Sequence, residues 1–438
     1  METEVDTTGS FSDVMLTSNG PNDNRRSAFK PVAAFYSDGL QDTDSVKFAF
    51  KVLSTFFKTV DSSFVVSPYL MQTTMGMCFV GSDCSTKNEL QDKLFQSCPN
   101  VTSYLTTLAR TGSAIKGFKT ITRFLATHRV DFHLAYKNKL RIIFSKEPYK
   151  WAVAEVNFEN GEFERMAEMI DGIIDKKLGG VEMTIGAFQP SFFDREMRLM
   201  IVQAFCYRTI WQNPFLPDSV KLITDGIFYK KIGGDGVPIE FMQQENTFRY
   251  YENHNWKVLR KATSTKNAGF YFLLPKGDDG IETNILAIDS HLDFVNMFRQ
   301  CELQKVKVVL PKFRIDSPWY DLADRVKELG IRNSFNPMRA TFCHMAKIWD
   351  LENGFAIDKI MEKHSFQLDE GIDEDDAKQS MDSEFSLSSD KATTSQSQAQ
   401  SEQEETFLFY ANHPFLFFLV HEDSSAMTVL LTGLYMGP

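Results

Sequence analysis

The chain has 438 residues, 43% of them hydrophobic and 13% aromatic, which is enough apolar material for a large core. Its formal net charge of −11 argues against nucleic acid or an anionic membrane as a partner. No run of 18 apolar residues occurs, so no membrane-spanning helix is expected.

Residues 1–44 are polar, with turns at Gly20-Pro21 and Asn22-Asp23-Asn24, and read as a disordered tail. The acidic N-terminus lacks the charged-then-apolar pattern of a signal peptide, which by itself indicates the cytoplasm. From Ser45 to Lys58 the apolar residues Phe48, Phe50, Val52, Leu53, Phe56 and Phe57 recur at helical spacing. A strand follows at Phe64-Val65-Val66, and Ser67-Pro68 opens an apolar helix that runs to Val80. The turn from Gly81 to Ser85 breaks it. Thr86 is expected to cap the next helix, with Glu89 completing a capping box. Asn100-Val101-Thr102 is a glycosylation sequon, which matters only in a secreted chain.

Lys116 to Lys150 holds nine bases against two acids, including Lys116, Lys119, Arg123, Arg129, Lys137, Lys139 and Arg141. Such a segment is either an ordinary solvated face or a polyanion site. A helix is predicted over Glu164–Leu178, ending at Gly179-Gly180. From Met200 strands dominate, at Phe241–Phe248, Trp256–Leu259, Phe270–Leu274 and Lys305–Leu310. A helix is predicted over Tyr320–Leu329, stopped by Gly330. Helices first and strands later, without a regular βαβ repeat, give an α+β class, with residues 45–438 as a single domain.

Residues 373–405 differ in kind, being rich in Ser, Gln, Asp and Glu. Between Asp369 and Glu405 twelve acids face two lysines, Lys378 and Lys391, which accounts for nearly all of the charge excess. A long loop of this composition cannot bury enough area to offset its ordering entropy, and in a compact domain it is functional or disordered. Two apolar strands follow it, and the chain ends.

Six cysteines, Cys78, Cys84, Cys98, Cys206, Cys301 and Cys343, contain no Cys-x-x-Cys and read as mostly buried free thiols. No Walker A, G-x-S-x-G, H-E-x-x-H or dinucleotide fingerprint occurs, so neither an enzyme nor a cofactor is expected. His128 and His133 lie five apart with no cysteine pair near them in sequence, and no metal site is expected there.

Six stretches, in order, resemble the serpin family. They are Phe64-Val65-Val66-Ser67-Pro68; Gly81 with Thr86, Glu89 and Leu90; and Ile201 to Trp211, with Phe215 four residues beyond. Then come Leu310-Pro311-Lys312-Phe313 with Asp321-Leu322 and Leu329-Gly330-Ile331; Asn412 to Phe417; and Gly433 with Pro438. The resemblance implies the serpin fold: three β-sheets, a cluster of helices and an exposed reactive loop, here residues 371–406. It also implies an activity, which is inhibition of serine proteases by insertion of the cleaved loop into the middle of a sheet. A serine protease is thus the partner it suggests, with the chain a monomer. Family habit favours secretion, against the reading of the N-terminus.

The family's hinge is an acidic residue and a glycine followed by small residues. Here Glu370 and Gly371 match, but Asp373, Glu374, Asp375 and Asp376 precede Ala377. Strand side chains alternate, so four consecutive acids put two inward in either register. Each carboxylate buried without a partner costs about 3–4 kcal/mol at neutral pH. Two would slow insertion by roughly four or five powers of ten. No basic partner inside the sheet is evident from the sequence.

The loop is also longer than the family's. Counting from the hinge puts the scissile bond near Phe385 or Ser386, and counting back from Pro414 puts it near Gln403. Phe385 and Leu387 would suit a chymotrypsin-like pocket, and Lys391 a trypsin-like one. In the family a hydrogen-bonded cluster of two Ser, an Asn and a His steadies the sheet where it opens. The matching positions hold Ser67, Leu70, Gln203 and Glu362, near Trp211, so the cluster has been rebuilt. Three readings follow. The first is a degenerate serpin whose acidic loop binds a partner or is processed. The second is a working suicide inhibitor. The third is a carrier or chaperone.

Overall fold

Serine and proline at 67 and 68 set the start of the second helix, as the sequence predicts. The computed structural model describes residues 44–57, 62–144, 153–178, 187–215, 223–231, 234–277, 281, 285, 288, 290–349, 354–372, 406–423 and 426–438. Helix α1 (Asp44–Phe57) buries Phe48, Val52, Leu53 and Phe56 on one face. After β1 (Phe64–Val66), helix α2 (Pro68–Gly81) starts where the Ser67 hydroxyl accepts the Leu70 amide. α2 is buried nearly all round, which its uniformly apolar sequence requires.

Helix α3 (Cys84–Leu94) starts two residues before the expected cap, with Asp83 in the cap position. Thr86 lies inside the first turn and is buried, and its hydroxyl accepts the Thr341 amide. Glu89 accepts the amides of Arg332 and Asn333 instead of closing a capping box. Tertiary partners took both side chains from the local motif. Helix α4 (Val101–Ala114) is capped by Asn100, whose Oδ1 accepts the Ser103 amide.

Strands β2 (Phe118–Thr127) and β3 (Val130–Phe132), helix α5 (Leu134–Ile143), strand β4 (Val153–Val156), helix α6 (Phe163–Leu178) and strand β5 (Leu199–Arg208) follow. Next come β6 (Ile223–Tyr229), β7 (Gly236–Glu252), β8 (Trp256–Ala262), β9 (Ala268–Pro275), helix α7 (His291–Arg299), β10 (Glu302–Pro311), β11 (Phe313–Asp316) and β12 (Tyr320–Asp321). Helix α8 (Ala323–Glu328), β13 (Ala346–Ile348), β14 (Lys359–Leu368), β15 (Phe407–Tyr410), β16 (Phe415–Glu422) and β17 (Met427–Tyr435) complete the chain. The helix predicted from Tyr320 is shorter, because Tyr320 and Asp321 pair with β14 first.

A nine-stranded sheet has the order β1-β17-β16-β9-β8-β7-β10-β15, with β6 on β7. A six-stranded sheet has the order β11-β14-β5-β2-β4, with β12 on β14, and β13 pairs with β3. Alternation along β5 divides the interior. Ile201, Phe205 and Tyr207 join the main core shared with α1, α2 and the nine-stranded sheet. Met200, Val202, Ala204 and Cys206 join a second cluster under α6, with Met166, Ile170 and Ile174. The compact unit runs from Gln41 to Pro438. No described helix is long and apolar enough to cross a membrane. All six cysteines are free; Cys78, Cys206 and Cys301 are buried, and Cys84 and Cys343 are exposed.

Candidate functional site

β5 and β14 lie side by side and parallel, paired from Met200↔Lys359 to Arg208↔Gln367. No strand lies between them. Where β14 ends, Asp369, Glu370 and Gly371 are tied to the segment that follows β5. Asp369 is buried, and its carboxylate accepts Arg208 Nε at 2.8 Å, Gln367 Nε2 at 2.9 Å and the Gly371 amide at 2.9 Å. Trp211 donates Nε1 to the Asp369 carbonyl and its amide to the Gly371 carbonyl, each at 3.0 Å, and Phe215 donates its amide to Glu370. Gly371 has φ +66, and a Cβ there would collide with the Trp211 ring, so only glycine fits this turn.

Lys312 Nζ lies 2.8 Å from Glu370 Oε1 and 3.7 Å from Glu240 Oε1. Burial pushes the Glu370 carboxyl up. The Lys312 hydrogen bond, its own amide and the Lys312 and Arg208 charges outweigh this and hold it below the usual carboxylate range. The hydrogen bond from Glu370 raises Lys312 above the usual lysine value. Beneath Trp211 the Lys261 ammonium is buried, donating to Gln244 Oε1 at 2.7 Å and the Asn213 carbonyl at 2.8 Å. It sits over the rings of Trp211, Phe215 and Phe248. Burial lowers it to about 7.

Halfway along the β5–β14 seam, Gln203 Nε2 donates to Glu362 Oε2 at 2.5 Å, and both side chains are buried. The Tyr320 hydroxyl donates to Glu362 Oε1 at 2.6 Å, and Thr74 donates to Gln203 Oε1 at 2.6 Å. His364 Nδ1 lies 3.3 Å from the Tyr320 hydroxyl and 3.8 Å from Glu362 Oε1. Burial and Glu362 drive the Tyr320 hydroxyl well above its usual value, which keeps it a donor. The structure therefore brings Gln203 and Glu362 together. It leaves Ser67 and Leu70 out, since Ser67 caps α2 and donates to the Leu430 carbonyl. Thr74, Tyr320 and His364 were missed in the sequence, where nothing marks them as partners.

The basic segment is not one surface. Arg123 is buried on β2 beneath α6, lining a cleft with Ile121, Met169 and Ile173. Arg129 pairs with Glu159 at 2.7 Å, and Lys137 with Glu155 at 3.2 Å. Lys119 lies opposite Cys206 at one end of β2, whereas Arg129 follows its other end, about 30 Å along the strand. Lys139 and Arg141 are exposed on α5, and Lys116 precedes β2. Asp373, Glu374, Asp375, Asp376, Ala377, Phe385, Ser386, Leu387, Lys391 and Gln403 lie outside the described residues.

A family model described as serpin (serine protease inhibitor) matches residues 43–438. Serpin B5 of Xenopus tropicalis is 23% identical over 389 residues, covering 87% of this chain and 93% of its own. Serpin B4 of Homo sapiens is 22% identical over 420 residues, covering 90% and 98%. The solved structure of a tumour suppressing serpin superposes with a TM-score of 0.71 at 18% identity, covering 90% of this chain and all of its own.

Proposed function

The chain belongs to the serpin family, and from that premise we propose that it inhibits proteases by loop insertion weakly or not at all, its acidic loop serving as a binding or processing element. The observation that carries this reading is the lining of the β5–β14 seam. A strand entering after Ile372 would come in at the Arg208–Gln367 end and alternate between two unlike faces. On the face toward α6 it would pass Arg208 and Lys363. On the core face it would pass Tyr207 stacked on Phe366, then Phe205 stacked on His364. The sequence alone marks no base to meet the inserted acids. Arg208 and Lys363 supply charged bases on one face, whereas the core face offers the buried His364 imidazole, stacked on Phe205, and no lysine or arginine among these residues. Two of the acids from Asp373 to Asp376 would still meet aromatic rings, at about 3–4 kcal/mol each. An acyl link to a protease is hydrolysed while insertion waits, and a slow inserter is a substrate.

The experiment is incubation with trypsin, chymotrypsin and elastase, followed by denaturing gels and melting of the cleaved protein. Cleavage with no SDS-resistant complex and no large rise in Tm is expected. An SDS-resistant complex would overturn the reading and establish a working inhibitor with its bait near Phe385, Leu387 or Lys391.

A further inference from the structure

The turn between α2 and α3 meets the segment before β13 at a cluster of unlike metal donors. Asp83 Oδ2 lies 3.5 Å from His344 Nε2 and 3.9 Å from Cys343 Sγ, and the three donor atoms all fall within 4.8 Å of one another. Asp83 holds the cap position of α3 without a capping hydrogen bond, and its Oδ2 faces His344 and Cys343. The backbone around it is fixed. The Asp83 amide donates to the Thr341 carbonyl at 2.9 Å, the Thr341 hydroxyl donates back to the Asp83 carbonyl at 2.5 Å, and the His344 amide donates to Gly81 at 3.1 Å. His133 Nε2 lies 3.1 Å from the Cys343 carbonyl and braces the same loop. Cys84, adjacent to Asp83, is exposed and has φ +45, a backbone conformation unusual for a side chain of this kind.

We propose that Asp83, Cys343 and His344 form a binding site for Zn(II), with the fourth position open to water or to Cys84. Zinc bonds of about 2.0–2.3 Å at tetrahedral angles place donors about 3.3–3.6 Å apart. The observed 3.5 and 3.9 Å, and a third separation within 4.8 Å, would close to that range by rotation of the Cys343 and His344 side chains, which are exposed. A thiol, an imidazole and a carboxylate together select zinc over magnesium or calcium, which take oxygen ligands. On binding, the Cys343 thiol gives its proton to solvent, and the thiolate and Asp83 neutralise the dication. The ion would pin the α2–α3 turn to the strand entry at 341–344. Sequence separation hid this site, because Asp83 and Cys343 are 260 positions apart.

The test uses the full chain, stripped by chelator and titrated with Co(II) as an optical probe, then with Zn(II). A sulfur-to-cobalt charge-transfer band, displaced by zinc, is expected, together with a rise in Tm on adding zinc. Cys343→Ser should abolish the band and the Tm rise, and His344→Asn should weaken binding. The Cys343 and His344 side chains are exposed, so the metal-free variants should melt as the parent does. Weakening of the band in Cys84→Ser would make Cys84 the fourth ligand, and an unchanged band would leave that position to water. The absence of a band, or zinc binding that persists unchanged in Cys343→Ser, would overturn the proposal.

Discussion

Glu362 is a carboxyl group in the interior with two donors aimed at it, Gln203 Nε2 and the Tyr320 hydroxyl. Removing one donor leaves the other side of the carboxylate desolvated. Tyr320→Phe should therefore destabilise by about 1–3 kcal/mol, read as a lower urea midpoint at unchanged slope. Lys261 gives a second prediction, in pH. Its folded value is lowered from 10.5 to about 7, so above pH 7 the unfolded chain binds the extra proton and stability rises with pH. The rise should be at most about 1.4 kcal/mol per pH unit, and visible before cysteines and tyrosines titrate. In Lys261→Met the slope of denaturation free energy just above pH 7 should flatten; an equal slope in the variant would assign the proton elsewhere. Of these residues the sequence pointed to Gln203 and Glu362, through their place in the family pattern. Thr74, Tyr320 and Lys261 carried no sign, because their partners come from other strands and helices.

At the scale of elements, the end of β14 is fastened by Lys312 on Glu370 and by Arg208 on Asp369. Glu370 lies below its usual value and Lys312 above its own. The pair therefore stabilises the fold above the ordinary carboxylate value. That contribution is lost as pH falls through Glu370's lowered value, and on the alkaline side as pH rises through Lys312's raised one. Lys312→Met should lower Tm at neutral pH and shrink the loss of Tm on acidification below the ordinary carboxylate value; protection from proteolysis just after Gly371 should fall with it. Many elements were legible, since α1, α2, α6, β7 to β10 and the closing apolar strands follow plain apolar patterns, whereas α4, α5, α7 and β11 to β13 were not predicted. The capping box at Thr86 and the long helix from Tyr320 were misread. In both, hydrogen bonds from distant backbone, at Thr341 and Arg332 or along β14, displaced the local pattern.

For the whole molecule, the two unlike faces of the β5–β14 seam sharpen the reading of the loop. Asp373 and Asp375 would share one face, and Glu374 and Asp376 the other. Of the two double variants, Asp373→Ala with Asp375→Ala and Glu374→Ala with Asp376→Ala, only one should gain a post-cleavage rise in Tm. The one that gains it removes the acids facing Tyr207 and Phe366. Equal behaviour of both would show that the seam does not discriminate between its faces. The family fold was legible because its marks recur in order along the chain. The seam's lining was not, because it depends on which strands become neighbours.

The nine-stranded sheet also says something about how the chain is made. β16 and β17, the last strands, lie in its interior, between β9 and β1. Ser67 reaches the Leu430 carbonyl, 363 positions away. A ribosome delivers the first helices long before the strands they pack against, at about 5–20 residues per second. The main core therefore cannot close until β16 and β17 emerge, and the helical half must wait with its apolar faces open. Loss of β17 would leave β16 and β1 without their common neighbour, so a strand made late is needed to complete what α1 and α2 started.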